Sequence, residues 1–99
     1  MLYVCGMIRS FASNESRSLF QRQRCKRLPT DVQRIAYRKL MMLHAATDIS
    51  DLRVPPGNRL EALKGDRRGK HSIRINDQWR ICFMWRGGNA EDVEIVDYH

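Results

Sequence analysis

Two periodicities divide the chain. From Val32 to Ala46 the apolar side chains Val32, Ile35, Ala36, Leu40, Leu43 and Ala46 recur at helical intervals, whereas beyond Arg59 the period becomes two. The first pattern predicts the main packing helix, opened by Thr30 and Gln33 at capping-box spacing and preceded by Pro29. Met41 and Met42 widen its apolar face, while Arg34, Arg38 and Lys39 fall off the stripe and read as hydrated. A weaker helix is expected from Asn14 to Lys26, with Ser13 as N-cap and Leu19 and Phe20 as its apolar anchors. Ahead of it, Met7 to Phe11 reads as a first strand. Residues 1–6 then form an N-terminal extension to a single domain over 7–99, or else lengthen that strand.

The second half reads as strands at Arg59–Lys64, His71–Ile75, Trp79–Arg86 and Val93–Tyr98, with turns at Gly65–Gly69, Asn76–Gln78 and Gly87–Asn89. Asp48 to Arg53 is a short connection, and Pro55-Pro56-Gly57-Asn58 forbids continued helix. Helices followed by a mostly antiparallel sheet make an α+β fold. Ile73 and Ile75 share a face with Trp79, Ile81, Phe83 and Trp85, and this face should pack on the second helix. A three-residue loop at Asn76–Gln78 sets Ile73 against Ile81 and Arg74 against Arg80; a slip of one residue would set an Arg against an Ile.

Two like charges directly opposite one another cost a fraction of about 1 kcal/mol, so a neighbouring acid or a bound phosphate should offset them. Asp97 is the candidate acid. Lys64, beside Gly65, can reach the same surface and complete a basic floor. His71 alternates with Ile73 and Ile75 and so reads as a packed or rim histidine; Glu61 reads as an ion-pair partner for Arg59 or Arg80.

Composition adds a bias. The 99 residues suffice for one domain, and 18 Lys and Arg against 11 Asp and Glu leave a net charge of +7, which favours polyanions. Residues 1–50 hold nine basic and three acidic side chains, residues 51–99 nine and eight. Cys5, Cys25 and Cys82 are odd in number and lack metal-ligand spacing with each other or with His44, His71 and His99. No disulfide framework, metal or cofactor is therefore expected, and the chain reads as a cytoplasmic protein. No window approaches the roughly 18 apolar residues of a membrane span.

The sequence closes on Asp97-Tyr98-His99. A carboxylate, a phenol and an imidazole can exchange protons near neutral pH, and Lys64, Arg74 and Arg80 can hold phosphate. Together they point to chemistry on the RNA backbone. Tyr98 alternates to the other face and could stack on a base only if the chain end twists.

Three runs carry a specific resemblance: Pro56 to Arg67 (PGNRLEALKGDR), Ser72 to Ile81 (SIRINDQWRI) and Val93 to His99 (VEIVDYH). They resemble the HigB family of toxins of type II toxin-antitoxin modules, within the superfamily of RelE and ParE. Met7-Ile8-Arg9-Ser10-Phe11 is similar to the family's opening. The resemblance implies a RelE-like fold, two N-terminal helices on a small twisted sheet. It implies ribosome-dependent cleavage of messenger RNA through attack by the 2′-hydroxyl, without a metal. Lys64, Asp97, Tyr98 and His99 match family catalytic positions, and Arg74 and Arg80 match basic residues of the same surface. The implied partners are messenger RNA, the ribosome, a helix-turn-helix HigA-like antitoxin, and operator DNA reached through that antitoxin. Some members carry a histidine three residues before the lysine; here the residue is Glu61. Two alternatives use the same scaffold: a ParE-like toxin acting on DNA gyrase, and an antitoxin- or nucleic-acid-binding protein with decayed activity. The Arg-rich first helix and Glu91-Asp92 are candidate antitoxin contacts.

Overall fold

The structure is a computed structural model that describes residues 8–23, 28–63 and 69–97. Helix α1 (Asn14–Phe20) and helix α2 (Thr30–Ala45) precede a four-stranded sheet of β1 (Glu61–Ala62), β2 (Lys70–Arg74), β3 (Trp79–Arg86) and β4 (Asn89–Asp97). The strands pair in chain order, every neighbour antiparallel. Short 3₁₀ turns at Ile49–Arg53 and Pro56–Asn58 carry the chain from α2 to β1.

The predicted register holds. Ile73 faces Ile81 and Arg74 faces Arg80, so Ile73, Trp79, Ile81 and Phe83 project to one side and bury against Val32, Ala36, Leu40 and Leu43 of α2. Leu40, Leu43, Ile73, Ile81, Phe83 and Val93 are wholly inaccessible to solvent. Burial of such side chains stabilises by about 1.5–3 kcal/mol each, so this layer holds the sheet's other face in place.

The N-terminal segment departs from expectation. Met7–Phe11 does not form a full strand: Ile8 and Phe11 make two isolated parallel bridges to Ala90 and Val93, and Met7 lies outside the described residues. Arg9 and Ala12 nevertheless donate to the Ala90 and Val93 carbonyls at 2.8 and 2.9 Å. Ser13 caps α1, as expected, its hydroxyl accepting from the Ser16 amide at 3.3 Å. Fully buried Ser16 in turn accepts from the Ile95 amide at 2.9 Å. The free edge of β4 is thus covered, which also removes a template for pairing with other chains.

Other boundaries move too. Helix α1 ends at Phe20 rather than Lys26, because Arg22 takes a left-handed φ of 64° that no helix continues. At α2 the N-cap is Pro29, without a side-chain cap; Gln33 reaches back instead to the Leu28 carbonyl at 2.7 Å. Met41 is 39% exposed, so only Met42 of the pair packs against the core. Strand β4 starts at Asn89, four residues before Val93, because an irregularity between Cys82 and Met84 and a φ of 51° at Asp92 interrupt the period of two. Among the described residues no helix is long and apolar enough to cross a membrane.

Candidate functional site on the sheet face turned away from the core

Alternation sends Lys70, Ser72 and Arg74 of β2 and Arg80, Cys82 and Met84 of β3 to the face turned away from the core. Glu61 joins them from β1, opposite Ser72. Arg80 is the centre of this surface. It is only 8% exposed, and its guanidinium donates from Nε to Ser72 Oγ at 2.9 Å and from Nη2 to the Arg59 carbonyl at 2.7 Å. Glu61 Oε1 stands 3.8 Å from Nη2 on a side chain that is half exposed. The expected ion pair of Glu61 with Arg80 is therefore present, at loose distance. Arg59 itself is left-handed, φ 45°, which turns its carbonyl toward Arg80.

Arg74 lies directly across from Arg80 but is held differently, pairing three residues on with Asp77, whose side chain is 98% exposed. A pair so open to water and salt neutralises Arg74 weakly. One positive charge is thus fixed by burial and hydrogen bonds, and the other is swung on a surface tether. Such a facing pair can grip a phosphate oxygen from two sides.

Asp97 is placed otherwise than expected. Across β3 and β4, Val96 faces Arg80 and Asp97 faces Trp79, so alternation puts the carboxylate on the Trp79 side; Gln78 Nε2 donates to it at 3.3 Å. Glu61 and Asp77 are acids set against the Arg pair. Lys64, Tyr98 and His99, together with the 65–68 part of the predicted turn, lie outside the described residues.

His71 stacks on Phe83, ring centroids 6.1 Å apart, and its Nδ1 is buried with no hydrogen-bond partner among the described residues. Burial holds its pKa below the ordinary 6.5, consistent with the packed histidine expected from alternation. His44 is a structural acceptor, Nδ1 receiving the Ile8 amide at 3.2 Å.

Sequence reasoning missed two polar residues that shape this face. Ser72 is fully buried and supplies the acceptor that fixes Arg80. Asn58 is fully buried, donating to the Leu52 and Val54 carbonyls at 3.1 and 3.4 Å and accepting from Lys39 Nζ. Lys39 is therefore not simply hydrated. An Asn straight after Pro-Pro-Gly was the available signal. Elsewhere, between the helices, Leu19, Arg22, Gln23, Gln33, Arg34 and Tyr37 line an open concavity of about 310 Å³, with Arg22 lying over the Tyr37 ring at 5.2 Å.

The class to which this small α+β fold belongs is that of the RelE-like toxins. The family model described as the RelE-like toxin of type II toxin-antitoxin system HigB matches residues 9–99, and this chain belongs to that family. Toxin HigB-1 of Vibrio cholerae is 46% identical over 69% of this chain and 72% of its own. Endoribonuclease HigB of Proteus vulgaris is 38% identical over 94% of this chain and the whole of its own. The crystal structure of YafQ from E. coli strain BL21(DE3) superposes with a TM-score of 0.54, covering 91% of this chain and 90% of that one at 11% identity, a likeness of fold. As a toxin of a type II module, the protein has an antitoxin as its partner.

Proposed function

We propose that this toxin is an endoribonuclease that cuts messenger RNA on the translating ribosome in the cytoplasm, using the RNA's own 2′-hydroxyl as nucleophile and no metal ion. The observation that carries the reading is the placement of Arg74 directly opposite Arg80 on the face turned away from the core. The name of the Proteus vulgaris relative, matched along its whole length, supports it.

In this mechanism a base takes the 2′-hydroxyl proton, the 2′-oxygen bonds to phosphorus, and the bond from phosphorus to the 5′-oxygen breaks as an acid protonates the leaving oxygen. The products are a 2′,3′-cyclic phosphate and a 5′-hydroxyl. Lys64 and Arg80 stabilise charge on the phosphate, and Arg74 positions it. His99 acts as general acid or base, and Asp97, two residues before it, orients it from the end of β4. Tyr98 stacks on a base beside the scissile bond. The antitoxin is a helix-turn-helix HigA-like protein through which the pair reaches its operator, and the Arg-rich stretch 14–26 and Glu91-Asp92 are the contact surfaces proposed for it.

Mapping 5′ ends of messenger RNA after brief induction tests the reading. New in-frame cuts should arise with the wild type and vanish in His99→Ala and Lys64→Ala. Growth arrest with broken DNA and intact transcripts would replace this function with gyrase poisoning.

A further inference from the structure

The turn between the helical layer and the sheet pegs two cations from different layers. Fully buried Asn58 uses its amide hydrogens on the Leu52 and Val54 carbonyls, which turns its oxygen to the ammonium of Lys39 on α2. The very next residue, Arg59, gives its carbonyl to Arg80 Nη2 at 2.7 Å. Lys39 and Arg80 are therefore anchored to consecutive residues of one turn, and Arg74 faces Arg80 across the ladder.

Lys39 is an unusual surface lysine. Its partner is a neutral amide, its charged neighbours are Arg38 and Arg74, and among the described residues no carboxylate pairs with it. Burial first, then these two guanidiniums, hold its pKa below the usual lysine range. An ammonium fixed among like charges is a place short of negative charge.

We infer that Lys39, with Arg38 and Arg74, forms a second phosphate-binding subsite, which takes the RNA backbone phosphate next to the one held at Arg80. Arg74 is shared by the two subsites, so the backbone runs from the sheet face over the Asn58–Arg59 turn toward α2. This rests on the nuclease reading only for the identity of the polyanion.

The test is equilibrium binding of a fluorescent single-stranded 2′-O-methyl RNA, which cannot be cleaved by 2′ attack, measured against salt for the wild type, Lys39→Gln, Lys39→Arg and Arg38→Gln. Each phosphate contact in a single strand contributes about 0.7 to the slope of log affinity against log salt. Lys39→Gln should weaken binding roughly tenfold at low salt and reduce the slope by about 0.7, and Lys39→Arg should restore both. Should Lys39→Gln fail to fold, exposed Arg38→Gln carries the test alone, with a smaller loss in the same direction. Wild-type slopes in both glutamine variants would overturn the subsite. Variant slopes unchanged in a wild type that cleaves messages remove this inference alone; reduced slopes in a protein that cleaves none remove the nuclease reading and leave the subsite standing.

Discussion

Ser72 Oγ accepts from Arg80 Nε at 2.9 Å although the two residues are not opposite one another: Ser72 faces Cys82, and Arg80 faces Arg74. This diagonal bond lays the guanidinium along the sheet instead of letting it rise into solvent. Removing the hydroxyl leaves a buried charged donor short of an acceptor. Ser72→Ala should therefore cost about 1–3 kcal/mol in urea unfolding and release Arg80 from its fixed orientation. Unchanged unfolding would mean that the hydroxyl is dispensable for holding Arg80.

Arg74 should separate binding from stability. Its partner Asp77 is nearly fully exposed, so the ion pair contributes little, and its loss also relieves repulsion with Arg80. Arg74→Gln should leave the unfolding free energy within about 1 kcal/mol of wild type while reducing RNA affinity and its salt slope. A large loss of stability with intact RNA affinity would reverse that assignment.

Adjacent positions on α2 should respond very differently to truncation. Leu40 is wholly buried against the sheet, whereas Met41 is 39% exposed. Leu40→Ala should cost about 2–5 kcal/mol and Met41→Ala less than about 1, read from denaturant midpoints. Equal costs would contradict the packing of α2 on the sheet.

Much of this is legible in the sequence, for a physical reason. Where one face of a strand is buried, a shift of one residue is prohibitively unfavourable, so the alternation of Ile73, Arg74, Ile75 with Trp79, Arg80, Ile81 fixed both the pairing and the Arg74–Arg80 opposition. The pattern was silent where the backbone leaves regular values. Asp92 at φ 51° breaks the alternation that would have revealed the start of β4, and Arg22 at φ 64° ends α1 inside a run of helix-compatible residues. Asp97 was assigned to the Arg pair without a register for β4, and that register sends it to the Trp79 side. The Lys39–Asn58 contact joins residues 19 positions apart through a turn that no periodicity describes.

His71 gives a prediction in pH. Burial lowers its folded-state pKa below the unfolded 6.5, so the unfolded chain binds the proton first. Its contribution is fully present above pH 6.5 and is lost as pH falls from there toward the depressed folded value. Replacement by Phe keeps the stack on Phe83 and removes the titration, so His71→Phe should lose less stability than wild type between pH 7.5 and pH 5.5, about 1 kcal/mol or less in difference. Parallel pH curves for the two proteins would show that the ring is solvated in the native state.

The central claim is 2′-hydroxyl attack at a phosphate gripped between Arg74 and Arg80. Its most direct measurement follows a translated message that carries a single 2′-deoxynucleotide at the nucleotide preceding the cut. The wild-type toxin should leave that bond intact while still cutting the all-ribose message to a 2′,3′-cyclic phosphate and a 5′-hydroxyl, and Arg74→Gln should slow the latter at least tenfold, about 1.4 kcal/mol of barrier. Cleavage of the deoxy-substituted bond at the all-ribose rate would contradict the account.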